Sequence, residues 1–182
     1  MAELGMVDWW RSSLGADQIT ATEIRTGLWT LRFLAITLAV TPARQLLGLG
    51  ALAKYRRMLG LFAFCYAVIH VLTWSWADTN FELGYMGREI AKHKYILVGM
   101  LTFLILIPLA LTSTKGWVRR IGGRRWSRLH RLIYLAAVTG TIHYLWAVKK
   151  DTFFPLVYLL VFLTLLGYRA ARAARARAVR LA

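Results

Sequence analysis

Five long apolar segments, separated by short loops rich in arginine and lysine, constrain this chain more than any other feature of its sequence. They cover approximately residues 26–40, 59–76, 95–111, 129–147 and 153–168. Each approaches the roughly 20 residues that an α-helix needs to cross the hydrocarbon core of a bilayer. Because 58% of the 182 residues are hydrophobic and only 18% are charged, a soluble domain is a poor fit. The pattern predicts an all-α integral membrane protein, a bundle of about five transmembrane helices.

The charges of the loops predict the orientation of this bundle. If the N-terminus lies outside, most of the 24 Lys and Arg residues fall in the inner loops and the C-terminal tail. All eight acidic residues then fall on the outer side, and none lies within a predicted span. Inner loops of membrane proteins carry an excess of basic residues, so the N-terminus is predicted outside and the C-terminus inside.

The net charge of +16 has the same explanation. The basic residues occupy short loops between apolar segments rather than one soluble face, which excludes nucleic acid as the partner. Residues 1–25 are expected to form an outer-side N-terminal segment, residues 26–168 the membrane domain, and residues 169–182 a basic cytoplasmic tail. The first segment lacks the continuous apolar region of a signal peptide. The only cysteine, Cys65, excludes a disulfide framework within the chain.

Two of the four histidines fall at similar depth in the second and fourth apolar segments. His70 lies about 9 Å and His143 about 6 Å from the outer ends of their predicted helices, at a rise of 1.5 Å per residue. Neutral imidazole is a common axial ligand of iron, and helical bundles bind haem between facing helices. The pair therefore predicts a b-type haem in the outer half of the membrane. The alternative is a pair of groups that form hydrogen bonds between helices.

The other two histidines do not belong to this pair. His130 precedes His143 by thirteen residues, which places it about 20 Å further inward on a continuous helix, near the cytoplasmic side. His93 lies between Lys92 and Lys94 at the outer interface, where a solvated histidine is the simplest interpretation.

Several motifs resemble one known family. They are TPARQ (41–45), KYRRMLGLFAFCYAVIH (54–70), LALTSTKG (109–116), GRRWSRLHRLIYL (123–135) and HYLWAVK (143–149). In this order they resemble the MsrQ family, also called YedZ, within the ferric-reductase-like transmembrane superfamily. MsrQ is the haem-binding membrane subunit of the MsrPQ protein-methionine-sulfoxide reductase system. The resemblance extends from about residue 14 to residue 168.

The resemblance implies a function in electron transfer across the bacterial inner membrane. Electrons would come from the quinone pool or a cytosolic flavin reductase. They would pass to an MsrP-like, molybdenum-containing partner in the periplasm, which forms a heterodimer with the membrane subunit. That partner would reduce methionine sulfoxide in oxidised envelope proteins. The implied cofactors are haem b and FMN. His70 and His143 match the axial haem ligands, and no catalytic residue is implied in the membrane subunit.

The resemblance also separates His130 from the haem ligands. Superfamily members with two haems have a further histidine fourteen residues before the one that matches His70, and here that position is Arg56. A guanidinium can pair with a flavin phosphate. We therefore expect Arg56, Arg57 and His130 to form an inner site for FMN or a quinone head group. The alternative for Arg56 and Arg57 is that they only anchor the helix at the inner face.

Two other points follow from the resemblance. Family members usually have six helices, with one before the stretch that resembles residues 12–18, so this chain is expected to be a five-helix version or to have a misassigned start.

Acidic residues of the outer loops are candidates for the surface that docks the partner, or form a solvated face. They include Asp78, Glu82 and Glu89.

Three alternative functions are possible. The first is a ferric-reductase-like cytochrome with another electron acceptor. The second is a membrane transporter that uses its histidines, which the absence of acidic residues from the predicted spans disfavours. The third is a ferric reductase complete in itself, for which the basic stretch 169–182 leaves no room for a flavin and nicotinamide domain.

Overall fold

A computed structural model describes residues 2–148 and 152–181 of the chain. This part of the chain contains α-helices and one 3-10 helix, Gly50–Tyr55, and no strands. The α-helices are α1 (Ala2–Leu46), α2 (Arg56–Ala77), α3 (Leu83–Lys92), α4 (Lys94–Leu111), α5 (Lys115–Ile121), α6 (Gly123–Leu129), α7 (Leu132–Ala147) and α8 (Phe153–Leu181). The prediction of an all-α protein is confirmed.

Four helical stretches in the described part of the chain are long and apolar enough to cross a membrane. They are Gln18–Leu46, Gly50–Ala77, Lys94–Leu111 and Phe153–Val179. They correspond to the first, second, third and fifth predicted segments. The fourth corresponds to α7, whose 16 residues extend about 24 Å. Because the hydrocarbon core of a bilayer is about 30 Å thick, α7 is shorter than a full span. The chain is a multi-pass membrane protein.

The first helix is much longer than predicted. It begins at Ala2, whereas the first predicted apolar segment begins near residue 26. Glu23, which precedes the first predicted apolar segment, lies within this long helical stretch. The threonine hydroxyls of this polar region are satisfied within the helix, because they donate to carbonyls of the preceding turn. Thr22 donates to Gln18 and Thr26 donates to Thr22, each over 2.9 Å.

The core of the bundle lies between two helix pairs. α1 packs along α2, α4 packs along α7, and α8 packs on α7 and α1. The buried cluster consists of Leu31, Leu34, Leu38, Ala63, Ala67, Ile105, Leu106, Leu109, Ala136, Ala137 and Phe162. Its alanines lie on α2 and α7, where small side chains let membrane helices approach closely. Between α4 and α7 the hydroxyl of Thr102 donates to that of Thr139 over 2.8 Å.

One basic side chain lies in the middle of a spanning helix. Arg32 of α1 donates from Nε to the hydroxyl of Tyr158 on α8 over 3.3 Å, and its guanidinium lies 4.8 Å from the ring centroid of Trp29. A charge inside a membrane is costly unless nearby groups interact with it, and both contacts reduce that cost.

Candidate functional site

The structure brings His70 and His143 together. His70 lies on α2 and His143 on α7, and their ring centroids are 6.1 Å apart with an angle of 73° between the ring planes. The two helices pack mainly against α1 and α4 rather than against each other. The imidazoles therefore meet in a space between helices, at the outer end of the bundle as the loop charges orient it.

Each imidazole is held by a backbone carbonyl of the helix beside it. Nδ1 of His70 lies 2.9 Å from the carbonyl oxygen of Glu23, and Nδ1 of His143 lies 2.7 Å from that of Tyr95. Since a carbonyl can only accept, the Nδ1–H groups donate in both bonds. This tautomer leaves the lone pair of Nε2 on each ring available to a metal, and such bonds also fix the orientation of a ligand histidine.

A glycine lies beneath each ring, one turn after the carbonyl. A Cβ built at Gly27 would lie 3.2 Å from Cε1 of His70. A Cβ built at Gly99 would lie 2.6 Å from Nδ1 of His143. Glu23 and Gly27 are four residues apart on α1, and Tyr95 and Gly99 are four residues apart on α4, so each pair shares one helix face. The same arrangement of carbonyl, glycine and histidine thus occurs twice.

The histidine pair fits a haem iron better than a site built from protein ligands alone. Two imidazoles on opposite sides of one metal have centroids about 6 Å apart if each metal–nitrogen bond is about 2 Å. Histidine imidazole is a usual protein ligand of haem iron, so His70 and His143 would hold such a group. No group of three or more His, Cys, Asp or Glu that could hold a metal ion occurs among the described residues.

A second site lies at the basic end of the bundle, where a cavity of about 420 Å³ opens between the helices. Its lining includes Arg56, Arg57 and His130, the three residues predicted for the inner site. Lys115 and Arg169 add two further positive charges, and no acidic side chain is among the described residues that line it. The cavity is therefore suited to a negatively charged or strongly hydrogen-bonding ligand.

His130 is fixed at the wall of this cavity. It caps α6 before α7 begins at Leu132, and so it lies outside the spanning helices. Its ring stacks on Trp126 with 3.9 Å between centroids, and its Nε2 lies 3.1 Å from the hydroxyl of Thr112. Burial, and secondly the charge of Arg56, lower the pKa of His130 below its ordinary value. The neutral imidazole is thereby favoured near neutral pH.

Aromatic side chains lie between the cavity and the histidine pair. Phe64 lines the cavity and stacks on Phe103 of α4, with 6.1 Å between centroids and 8° between planes. It precedes His70 by six residues on α2, an axial distance of about 9 Å. The cavity and the histidine pair are thus separate sites joined by a short, packed region of the bundle.

The remaining candidate residues lie at the outer end of the bundle, where the ring of Tyr95 is 5.6 Å from that of His93 and 6.2 Å from that of His143. His93 occupies the break between α3 and α4, and its Nε2 lies 3.3 Å from a carboxylate oxygen of Glu89. Glu82 lies 3.7 Å from Arg88, and both side chains are largely exposed.

Several functional features could not be found by sequence reasoning. The carbonyls of Glu23 and Tyr95 are backbone groups that leave no residue signal. Of the two glycines, only Gly99 could have been noticed in the sequence, because it lies within the strongly apolar segment that forms α4. Arg169, assigned to a cytoplasmic tail, lies within α8, which continues to Leu181.

Comparison with known proteins defines the class first. Residues 8–141 match the family "Ferric reductase like transmembrane component", which is more than half of the chain. The helical membrane bundle with paired histidines is therefore that of a ferric-reductase-like transmembrane component. No solved structure matches the chain.

Individual relatives define the family more closely, and each is named "Protein-methionine-sulfoxide reductase heme-binding subunit MsrQ". The Azospira oryzae protein is 45% identical over 167 residues, 91% of this chain and 72% of the relative. The protein of Xanthomonas campestris pv. campestris strain 8004 is 47% identical over 165 residues, 91% of this chain and 75% of the relative. That of Xanthomonas oryzae pv. oryzae strain MAFF 311018 is 46% identical over 182 residues, 97% of this chain and 83% of the relative. The chain belongs to the MsrQ family.

Proposed function

We propose that this chain is the haem-binding membrane subunit of a protein-methionine-sulfoxide reductase system in the bacterial inner membrane. It carries electrons from the quinone pool or a cytosolic flavin reductase to an MsrP-like molybdenum enzyme on the periplasmic side. That partner, bound as a heterodimer, reduces methionine sulfoxide in oxidised envelope proteins. The pairing of His70 with His143 at 6.1 Å is the observation that carries this proposal.

His70 and His143 would hold the iron of haem b through their Nε2 atoms. When bound there, haem would accept and release single electrons. The chain's own contribution is to fix both rings before the cofactor arrives. The carbonyls of Glu23 and Tyr95 set their tautomer, and Gly27 and Gly99 leave room for the rings beside α1 and α4.

The cavity at the basic end is the proposed inner site for FMN or a quinone head group. Its volume of about 420 Å³ falls in the usual range for small-molecule sites, about 300–1,000 Å³. Arg56 and Arg57 would pair with the phosphate of FMN or a quinone oxygen, and His130 would form a hydrogen bond as a neutral imidazole. The short distance from Phe64 to His70 supports electron transfer between this site and the outer pair.

The partner is proposed to dock at the outer end, where Glu82 and Glu89 lie on and beside α3. Asp78 follows α2 at the same end of the bundle. This side is the one on which the acidic residues of the loops collect, and it is also the side nearer to the histidine pair. A partner docked there would be close to the electron-carrying site.

Absorption spectroscopy of the purified chain tests the haem assignment. Cells supplied with a haem precursor should yield protein with a Soret band and the low-spin α band of a reduced b-type haem. His70→Ala and His143→Ala should each lose these bands, since a single imidazole remains. His130→Ala, which changes a histidine outside this pair, is the matched control and should retain them. Full haem content in both His70→Ala and His143→Ala would contradict the proposal, as would wild-type protein without a Soret band.

Flavin analysis tests the inner site separately. Wild-type protein should retain non-covalent FMN that is released on denaturation and quantified by fluorescence. Arg56→Ala and His130→Ala should lower this amount while the haem bands remain. Retention of all FMN in both variants would refute the assignment of these residues.

A further inference from the structure

A proline in α1 leaves one backbone carbonyl of that helix without its usual donor. Pro42 lies inside α1, and proline has no N–H group to donate to the carbonyl four residues before it, that of Leu38. An unsatisfied carbonyl in the interior of a membrane protein is costly. In this structure Arg169 of α8 supplies the missing donor, because its Nη2 lies 2.7 Å from the Leu38 oxygen.

Three further contacts hold the guanidinium of Arg169 in place. Nη2 also donates to the hydroxyl of Thr41 over 3.0 Å, and Nη1 donates to the hydroxyl of Tyr134 over 3.1 Å. The guanidinium carbon lies 5.4 Å from the ring centroid of Tyr134. A rigid planar fork is suited to such simultaneous bonds. Arg169 therefore joins α8 to α1 and α7.

The charge of this fixed guanidinium is not neutralised by the described part of the protein. All the acceptors of Arg169 named above are uncharged oxygens, and its Nε is buried without a hydrogen-bond partner among the described residues. Arg169 also lines the inner cavity with Arg56, Arg57 and Lys115. A half-buried cation that has no acidic partner is stabilised by an anion held nearby.

We propose that Arg169 is an anchoring residue of the inner cavity and that the cavity binds a phosphoryl group. Its source is either FMN or an anionic phospholipid, since basic pockets between helices on the cytoplasmic side are typical sites for phospholipid head groups. The proposal rests on the inner site of the proposed function and deepens it. It adds Arg169 of α8 to that site. It also makes the negative charge of the ligand the main determinant of binding there.

Arg169 further couples the ligand to the helix packing. Because the same guanidinium bonds the broken turn of α1 and Tyr134 of α7, an anion bound by it would require the native packing of α8 against both helices. A phosphorylated ligand should therefore protect the wild-type protein against thermal unfolding, and the protection should depend on Arg169.

The test uses the full haem-loaded chain in detergent. The variants are Arg169→Gln and, as the matched control, Arg172→Gln, which changes an exposed arginine one turn further along α8. FMN and riboflavin are titrated by fluorescence, because they differ only in the phosphate. In parallel, phosphatidylglycerol that remains bound after purification is quantified by mass spectrometry.

The proposal expects a loss of about tenfold or more in FMN affinity, or in retained phosphatidylglycerol, for Arg169→Gln, with Arg172→Gln unchanged. It also expects wild type to bind FMN at least tenfold more tightly than riboflavin if FMN is the source. A loss confined to FMN identifies the flavin as that source, and a loss confined to phosphatidylglycerol identifies the phospholipid. Unchanged values for both ligands, or the absence of both from wild type, overturn the proposal.

Two readouts keep the result unambiguous. If Arg169→Gln does not accumulate as folded protein, Arg169→Lys replaces it, because lysine keeps the charge but lacks the planar fork. It should also bind the phosphorylated ligand more weakly than Arg172→Gln does, and equal binding overturns the proposal. The haem bands are recorded in the same samples. If wild type lacked the haem bands, only the proposed function would be contradicted. If the protein bound haem but its ligand binding did not change in the Arg169 variants, only the anion site would be contradicted.

Discussion

The imidazole of His143 lies directly against the backbone of Gly99 on the neighbouring helix. A Cβ at position 99 would come within 2.6 Å of Nδ1 and 2.8 Å of Cε1, closer than real Cβ contacts allow. The same Nδ1 is bonded to the carbonyl of Tyr95, one turn earlier on α4. One face of α4 thus provides both the hydrogen bond that orients the ring and the space that admits it.

Gly99→Ala should therefore disturb the haem site without removing a ligand. The added methyl group has to displace the His143 ring or push α4 away from α7, and either change breaks the hydrogen bond to Tyr95. We expect the haem content per polypeptide to fall several-fold, as a pyridine haemochromogen assay would measure. Gly27→Ala should have a smaller effect, since its Cβ would lie 3.2 Å from the His70 ring.

Gly60→Ala is the matched control for both glycine variants. Its Cβ would meet only a methyl group of Thr37 at 4.0 Å, which is ordinary van der Waals contact. Haem content should be unchanged, and a loss in Gly60→Ala equal to that in Gly99→Ala would show that any change of a helical glycine is harmful.

The pKa of His130 should depend on Arg56. Burial is the larger cause of the lowered pKa and the charge of Arg56 the second, so Arg56→Gln should raise the pKa only part of the way toward its ordinary value. NMR titration of protein labelled at histidine Cε1 would measure this shift. Arg172→Gln is the control and should leave the pKa of His130 unchanged; an unchanged pKa in Arg56→Gln would contradict the prediction.

The same lowered pKa predicts how stability changes with pH. Below the ordinary histidine pKa of about 6.5 the unfolded chain takes up a proton at position 130 while the folded chain still resists it. The His130 contribution to stability is therefore complete above about pH 6.5 and decreases as the pH falls through the lower, folded-state pKa. His130→Gln should show a shallower loss of thermal stability than wild type over this range.

Pro42 and Arg169 should be energetically coupled. Pro42→Ala restores an N–H group that can donate to the Leu38 carbonyl, so this carbonyl no longer needs Arg169. Arg169→Gln should then destabilise the Pro42→Ala background by about 1 kcal/mol less than it destabilises wild type, the usual size of one hydrogen bond. Thermal unfolding of the four proteins in detergent would measure this, and strictly additive effects would contradict the coupling.

The hydrogen bond between Thr102 and Thr139 should stabilise the pairing of α4 with α7. Thr139→Val removes it at nearly constant volume and should cost about 0.6 kcal/mol, as is typical of bonds between membrane helices. Thr164→Val is the matched control, because Thr164 is exposed and its hydroxyl donates only to Leu160 of its own helix. Equal losses of stability in the two variants would contradict a specific role for the Thr102–Thr139 bond.

The sequence was sufficient for the features that depend on helix geometry alone. Apolar length predicted four of the spanning stretches, and the rise of a helix predicted that His70 and His143 lie at similar depth. It was insufficient where a backbone group acts at long range. Arg169 donates to the carbonyl of Leu38, which is 131 residues away and is left without its helical donor by Pro42. A pattern of residue types does not reveal such a contact. The early start of α1 was missed because apolar length marks only the apolar part of a helix and not the polar turns that precede it.

The separation of the cavity from the histidine pair also has an electrical consequence. Arg56 and His70 are fourteen residues apart on α2, about 21 Å along the helix axis at a rise of 1.5 Å per residue. That is about two thirds of the hydrocarbon thickness of about 30 Å. If electrons travel outward as proposed, a membrane potential negative inside favours this step by about 1.6 kcal/mol per 100 mV, since a full crossing corresponds to about 2.3 kcal/mol. An energised membrane would therefore help to supply reducing power to the envelope.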